Sequence, residues 1–390
     1  MMNVVFVLTN GDMYGDNKAL YNLMPFLISR DITPFFIIPK ESEAFDVFHC
    51  FTDRVIGYDN KRYYSLYYQK TVLSKNIFKR FLRPVAYLVR RKLCDKKEYQ
   101  LILKAVLTFC PQLVHTNNSG CILGFQLACD LGIKHLWHIR EYGDKDANWQ
   151  YLPSKKCVIN RFRKKNNYNI AITASIKQHF LLPTHNTEVI YDGALSQNKY
   201  ALSPSKDPYY LYVGRLFPNK GLELLLKAFS LALSKNREMK LVIAGRGDDN
   251  YYYSLLNQAK LLGISDCVEF LGYRKDIPQL MTRAKAVIIP SKSEAFGFVT
   301  AEAMYYGADI MGYNTAGTKE QMDNVDKFLK ESFCMRFESS EQLATLLLQH
   351  WERKYDVEKH TTISEYVKRI YSAEESANNF CNYIIKILNL

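Results

Sequence analysis

Two glutamates eight residues apart, Glu294 and Glu302, stand in the run PSKSEAFGFVTAEAM, residues 290–304. The run follows the apolar strand pattern KAVIIP and opens a helical pattern at about Phe298. Both carboxylates can therefore face the end of that strand. Gly297 permits close backbone approach to a ligand, and the free N–H groups of the first helical turn favour an anion. Glu302, near that turn, is suited to accept hydrogen bonds from sugar or ribose hydroxyls. A second cluster, Arg215 and Lys220, follows the strand pattern LYV and flanks the start of another helix. Two fixed cations beside helix-end amides stabilise negative charge as it accumulates on a leaving group. Each cluster also has a plain structural reading. Acidic residues complement a helix N-terminus, and an arginine and a lysine in a loop are commonly solvated.

The elements that position these residues alternate short apolar runs with longer helical patterns, the signature of α/β units around parallel sheets. In the first half, strands are expected at Val4–Leu8, Pro34–Ile38, Leu113–His115, His135–Ile139, Ile170–Thr173 and Glu188–Ile190. In the second half they are expected at Tyr209–Val213, Lys240–Ala244, Cys267–Phe270, Ala286–Ile289 and Asp309–Gly312. The polar, turn-rich stretch DGALSQNKYALSPSKDP, residues 192–208, reads as a linker. The expected organisation is an N-terminal Rossmann-like α/β domain over 1–191 and a second over 209–360. A helical segment of open placement follows at 361–390. A cleft is expected between the domains at the strand C-terminal ends.

On these residues the chain resembles a known family. PSKSEAFGFVTAEAMYYG is similar to the E-x7-E signature of retaining glycosyltransferases of the GT4 family, which have the GT-B fold. VGRLFPNKGLELLLKAF (213–229) resembles that family's other donor-site motif. AGRGDD (244–249), FLGYRKDIPQLM (270–281) and NTAGTKEQMD (314–323) fall in the same order and at similar spacing. The resemblance implies that Arg215 and Lys220 bind the diphosphate of a nucleotide-sugar donor, that Glu302 holds its ribose, and that Glu294 contacts its sugar. It implies backbone amides of Phe296 and Gly297 near that sugar, and a 270–276 loop, with Tyr273 and Arg274, bordering the nucleobase. No cofactor and no bound metal are implied, the nucleotide sugar being a co-substrate.

The first domain offers a turn glycine, Gly15, in NGDMYGDNKAL, where the family has a glycine-rich turn approaching the sugar or phosphate. The segment is not GxGxxG, so a dinucleotide fingerprint is not supported. VHTNNSG (114–120) ends a strand and either faces the acceptor or is turn chemistry. In HLWHIREYGDKD (135–146) the family's histidine position falls on Arg140, followed by Glu141. His138 lies two residues earlier, on the same side of a regular strand. Either His138 fills the catalytic histidine role or Arg140 stabilises charge there. Asp144-Lys145-Asp146 matches a metal-binding D-x-D but stands without further ligands, and reads as a solvated loop.

The formal net charge of +13 is uneven. Residues 61–104 alone carry 13 basic groups against Asp95 and Glu98. Within them, the segment 75–93 repeats apolar residues (Ile77, Phe78, Phe81, Leu82, Val85, Leu88, Val89) at helical spacing around Pro84. A basic amphipathic segment over 61–109 of this kind suits an anionic membrane surface, and equally an ordinary helix pair with its charges in water. Lys155, Lys156, Arg161, Arg163, Lys164 and Lys165 form a smaller basic patch. Nine scattered cysteines, none in a CxxC pair, argue against zinc and disulfide frameworks and for a reducing cytosol. The apolar N-terminal run lacks a basic leader, and no stretch is long enough to span a bilayer. The expected activity is transfer of a sugar to a hydroxyl of a growing, lipid-linked glycan in bacterial surface polysaccharide synthesis, in the cytoplasm at the inner membrane face. The alternatives are a GT-B-fold epimerase or phosphorylase, and a basic nucleic-acid-binding protein. No nucleic-acid-binding motif is present, so nucleic acid is not an expected partner.

Overall fold

The computed structural model describes residues 1–13, 15–59, 64–69, 96–146, 148–195 and 201–389, together with Val85 and Val89. The expected basic amphipathic segment therefore lies outside the described residues except at these two valines, at 64–69 and beyond Lys96. The chain forms two units, Met1–Gly193 with Ala373–Leu390, and Ala194–Ser372.

The first unit is built on a seven-stranded sheet of order β3-β2-β1-β5-β6-β8-β9. Its strands are β1 (Met2–Val7), β2 (Ile32–Pro39), β3 (Val55–Tyr58), β5 (Leu113–Thr116), β6 (Lys134–Ile139), β8 (Asn167–Ala171) and β9 (Thr187–Val189). All neighbours run parallel, as β-branched and aromatic runs covered on both faces require. A separate antiparallel ribbon joins β4 (Tyr67–Gln69) to β7 (Trp149–Tyr151), with the Tyr67 and Trp149 rings stacked at 3.6 Å.

The second unit has a six-stranded parallel sheet of order β12-β11-β10-β13-β14-β15. Its strands are β10 (Tyr209–Val213), β11 (Lys240–Ala244), β12 (Val268–Gly272), β13 (Ala286–Ile289), β14 (Asp309–Tyr313) and β15 (Met335–Phe337). The core on one side is closed by the helices Leu222–Leu233 and Ser340–Trp351, which bury Leu225, Leu226, Phe229, Leu343 and Leu347 against the strands.

The expected C-terminal helical segment is corrected: it is two helices with different homes. Val357–Tyr371 stays with the second unit, whereas Ala373–Leu388 belongs to the first. The latter presents Phe380, Cys381, Ile384 and Ile387 to Phe6, Leu20, Leu27 and Phe36, completing the first unit's core. The expected 192–208 linker also shifts, because Asp192 and Leu195 are buried. The two crossings between units lie side by side. Ala194 and Leu195 N–H groups both donate to Tyr371 O (3.0 and 3.2 Å), and a Cβ on Gly193 would sit 2.4 Å from Ala373 Cα.

Candidate functional site

In each sheet the strand order reverses once, and crevices form where the outgoing loops part at such a switch point. In the second unit the reversal lies between β10 and β13. The loop after β10 carries Arg215 and Lys220, and the loop after β13 carries Glu294, Phe296 and Gly297. Glycines bring these loops together. Gly221, at φ 76°, lies so close to the end of β13 that a Cβ would be 2.2 Å from Pro290 O. A Cβ on Gly245 would be 1.8 Å from Gly214 O, and Leu216 N–H reaches Arg246 O at 2.8 Å. The loops after β10 and β11 are thus stitched together, and Gly245 N–H reaches Gly272 O at the end of β12 at 2.8 Å.

Lys220 Nζ and Glu294 Oε1 meet at 2.6 Å, each side chain about a fifth exposed. The residues expected to serve diphosphate and sugar are therefore partners of each other in the ligand-free chain. Arg215 is exposed, and its guanidinium has no acidic partner among the described residues. Gly297, at φ 89°, precedes the helix Phe298–Tyr305, on which Glu302 lies one turn in. The Phe296 ring is buried against Phe298 and Tyr371, which withdraws it from a ligand. Tyr273 is 61% exposed, with Arg246 over its ring. Arg274 Nε donates to Asp276 Oδ1 at 2.7 Å, a pairing across two residues that closes the turn before the helix Ile277–Arg283. Asp248, in AGRGDD, caps the helix Asp249–Leu261 through Asn250 and Tyr251 N–H.

Residues of the 314–323 motif to which the sequence assigned no individual role hold the 294–297 loop. Gly317 N–H donates to Glu294 O at 2.8 Å. Gln321, fully buried, donates its amide to Phe296 O (2.6 Å) and Gly297 O (3.1 Å). The available signal was a lone amide within the buried face Gly317, Thr318, Gln321, Met322 and Val325 of the helix Ala316–Leu329.

In the first unit the switch point lies between β1 and β5, and a polar cluster fills the ends of β1, β5 and β6. Asn10 and Asn118 amides approach Asp16 carboxylate oxygens at 3.4 Å, and Asn117 donates to Asp16 O and Asn17 Oδ1. Gly15, at φ 51°, caps the helix Asp16–Ile28 and is exposed, with nothing within 4 Å of a Cβ built there. Burial pushes the Asp16 carboxyl up against the pull of Arg140. Glu141 accepts from Ser119 N–H at 2.9 Å, and burial, aided by the Asp16 charge, pushes it up to about 8.

His138 and Arg140 do fall on one side of β6: Arg140 Nη2 and His138 Nδ1 are 3.1 Å apart. Both are buried. Arg140 is ion-paired with Asp192, and His138 stacks under Phe380 and touches His115 Nε2 at 3.2 Å. Burial and then the Arg140 charge hold His138 well below the usual imidazole range, so it is neutral. Asp192 is itself pushed up by burial despite its cation. Asp144-Lys145-Asp146 is structural: Asp144 pairs with Lys155 and His179, each at 2.8 Å, and Asp146 accepts from Tyr142 and Gly143 N–H. That takes Lys155 out of the free basic patch. Among the described residues no group of three or more His, Cys, Asp or Glu can hold a metal ion, and no helix is long and apolar enough to cross a membrane.

Residues 196–370 match the family model for glycosyl transferases group 1. An uncharacterized glycosyltransferase of Haemophilus influenzae is 32% identical over 131 residues, 33% of this chain and 36% of that protein. The lipopolysaccharide 1,2-N-acetylglucosaminetransferase of Salmonella typhimurium is 34% identical over 119 residues, 28% of this chain and 31% of its own. The matched stretch thus spans about a third of each of these relatives. Along its whole length the chain superposes on HepE of Anabaena, solved with UDP and with UDP-glucose. The complex with UDP has a TM-score of 0.71 at 16% identity, covering 99% of this chain and 100% of that one. With its two parallel-sheet units, this likeness establishes the GT-B fold.

Proposed function

With residues 196–370 matching the glycosyl transferases group 1 model as the premise, we propose that the protein is a retaining, metal-independent glycosyltransferase of the GT4 type. It moves a hexose-type sugar from a nucleotide donor to a hydroxyl of a growing, lipid-linked glycan. The observation that carries this reading is the contact of Lys220 with Glu294, which joins the loop after β10, where Arg215 also lies, to the loop that enters Phe298–Tyr305 beside the switch point of the second sheet.

The chemistry follows from charge. When the bond between the anomeric carbon and the phosphate oxygen breaks, the diphosphate gains negative charge. Arg215, Lys220 and the Gly297–Val299 amides stabilise that charge more in the transition state than in the ground state. Arrival of the donor draws Lys220 off Glu294 and frees the carboxylate to orient sugar hydroxyls. Glu302 takes the ribose hydroxyls, and Tyr273 borders the base. The acceptor oxygen forms the new bond on the same face, and its proton passes to the departing phosphate oxygen. His138 and Arg140 serve as buried positioning groups, and Gly15 lets its turn approach the donor sugar or phosphate.

The membrane reading rests on the helix Lys96–Phe109. Its outward arc carries Lys96, Lys97, Lys104, Leu101 and Leu107 with no acid, the two leucines being 67% and 54% exposed. Such a face favours an anionic lipid surface, each lysine near it contributing about 1 kcal/mol. The site is then peripheral, on the inner face of the cytoplasmic membrane. The Salmonella lipopolysaccharide enzyme supports a surface-polysaccharide role.

The test is a thermal-shift screen of nucleotide sugars, followed by transfer kinetics of Lys220→Ala and Glu302→Ala. A ligand that binds the native state raises its melting temperature. Donor kinetics unchanged in both variants refute the assignment.

A further inference from the structure

Gln321 is an expensive residue where it stands. It is fully buried, its Oε1 has no hydrogen-bond partner among the described residues, and an apolar side chain of equal length would fill the space without an orphaned acceptor. What the amide does provide is two bonds, both to carbonyls of the loop entering Phe298–Tyr305: Phe296 O and Gly297 O. The same helix contributes Gly317, whose N–H holds Glu294 O at 2.8 Å, and Thr318, whose hydroxyl lies 3.3 Å from that of Thr300.

A trans peptide is planar and sets its C=O and N–H on opposite sides. With the carbonyls of Phe296 and Gly297 turned toward Gln321, the N–H groups of Gly297 and Phe298 are turned away from it. Neither has an acceptor among the described residues. The positive φ of Gly297 makes this turn possible without strain.

We infer that Gln321 is a positioning residue for the donor: it locks two consecutive peptide planes so that the N–H groups of Gly297 and Phe298 meet the terminal phosphate of a nucleoside diphosphate. This rests on the reading of the β10–β13 crevice as the donor site. Gln321 touches no substrate; it acts through the loop. A fixed pair of donors costs no reorganisation when charge develops on that phosphate, whereas a loop free to rotate its peptides forfeits that advantage.

The test compares the parent with Gln321→Met, equal in length and lacking the donors, and with Gln321→Glu. Nucleoside mono- and diphosphates of the base found in the thermal-shift screen are the probes, read by calorimetry. In Gln321→Met, diphosphate affinity falls about tenfold while monophosphate affinity stays within about twofold, and kcat for donor turnover falls with it. A merely structural injury would weaken both probes alike. In Gln321→Glu, a protonated carboxyl can still donate one bond and an ionised one repels both carbonyls. The variant-to-parent ratio of diphosphate affinities therefore drops as pH rises from 5 to 9, a readout that holds even where the methionine variant folds poorly. Equal loss of both probes in Gln321→Met, or a ratio independent of pH in Gln321→Glu, overturns the inference and leaves the proposed function standing. A parent that binds no nucleoside phosphate overturns both.

Discussion

Replacing Gly317 by alanine sets two effects of opposite sign against each other. Gly317 sits in the first turn of a helix with an ordinary backbone conformation, and there the helix preference of alanine would stabilise by about 0.8–1 kcal/mol. The added Cβ, however, would lie 2.4 Å from Phe296 O and 2.7 Å from Ala295 O, both backbone atoms that cannot swing aside. Overpacking of this kind costs roughly 1–3 kcal/mol. With two backbone contacts under 3.0 Å the cost falls in the upper part of that range, about 2–3 kcal/mol, so the clash wins by about 1–2 kcal/mol. For a unit of this size each 1 kcal/mol lowers the melting temperature by roughly 2–4 °C. Calorimetry of Gly317→Ala should therefore show a fall of about 2–8 °C, with weaker binding of a nucleotide sugar because the loop from Glu294 to Gly297 is pushed off its seat. A melting temperature that rises, with donor binding intact, would show that the loop is not seated on this helix.

Glu141, pushed up to about 8, binds more protons folded than unfolded between about pH 4.5 and 8. Its contribution is complete below about 4.5 and is lost as pH rises through 8. Glu141→Gln should remove that slope from a pH series of melting temperatures and leave the variant more stable than the parent at pH 9. Asp309 behaves oppositely. Burial pushes it up, but the hydrogen bond from His350 (3.1 Å) and the close approach of His360 (3.3 Å) outweigh that and hold it well below the usual carboxylate range. Its stabilisation is complete above about pH 3.8 and lost as pH falls toward the folded value. Asp309→Asn should thus cost roughly 1–3 kcal/mol at pH 7 by denaturant titration, with the deficit narrowing only in strong acid. Phe380→Ala, emptying a fully buried ring site against Phe6 and His138, should destabilise the first unit by about 3–5 kcal/mol in the same assay.

The parallel strands were readable because each is a short apolar run closed by a glycine or polar turn, and the donor-loop motifs lie at those turns. β3, β15 and the ribbon strands escaped, being only three or four residues long and without alternation to count. Period two correctly puts His138 and Arg140 on one side of β6. It says nothing of what lies across from them, here Asp192 and Phe380 from distant parts of the chain. Amphipathic spacing in 361–390 likewise announces a buried face without naming its partner. Gln321 was hidden for a related reason: its worth depends on two carbonyls more than twenty residues away in sequence.

The helix Ala373–Leu388 also sets the order of events during synthesis. All seven strands of the first sheet have been made by Val189, yet the helix that covers Phe6 and Phe36 follows only after the whole of Ala194–Ser372. At roughly 5–20 residues per second that interval is about 10–35 s. Throughout it the nascent sheet carries an uncovered apolar face, a natural client for a holdase and a liability for aggregation. The second unit, continuous in sequence, can fold first. Translation speed across its codons, rather than any contact in the finished protein, should therefore govern how much soluble product forms.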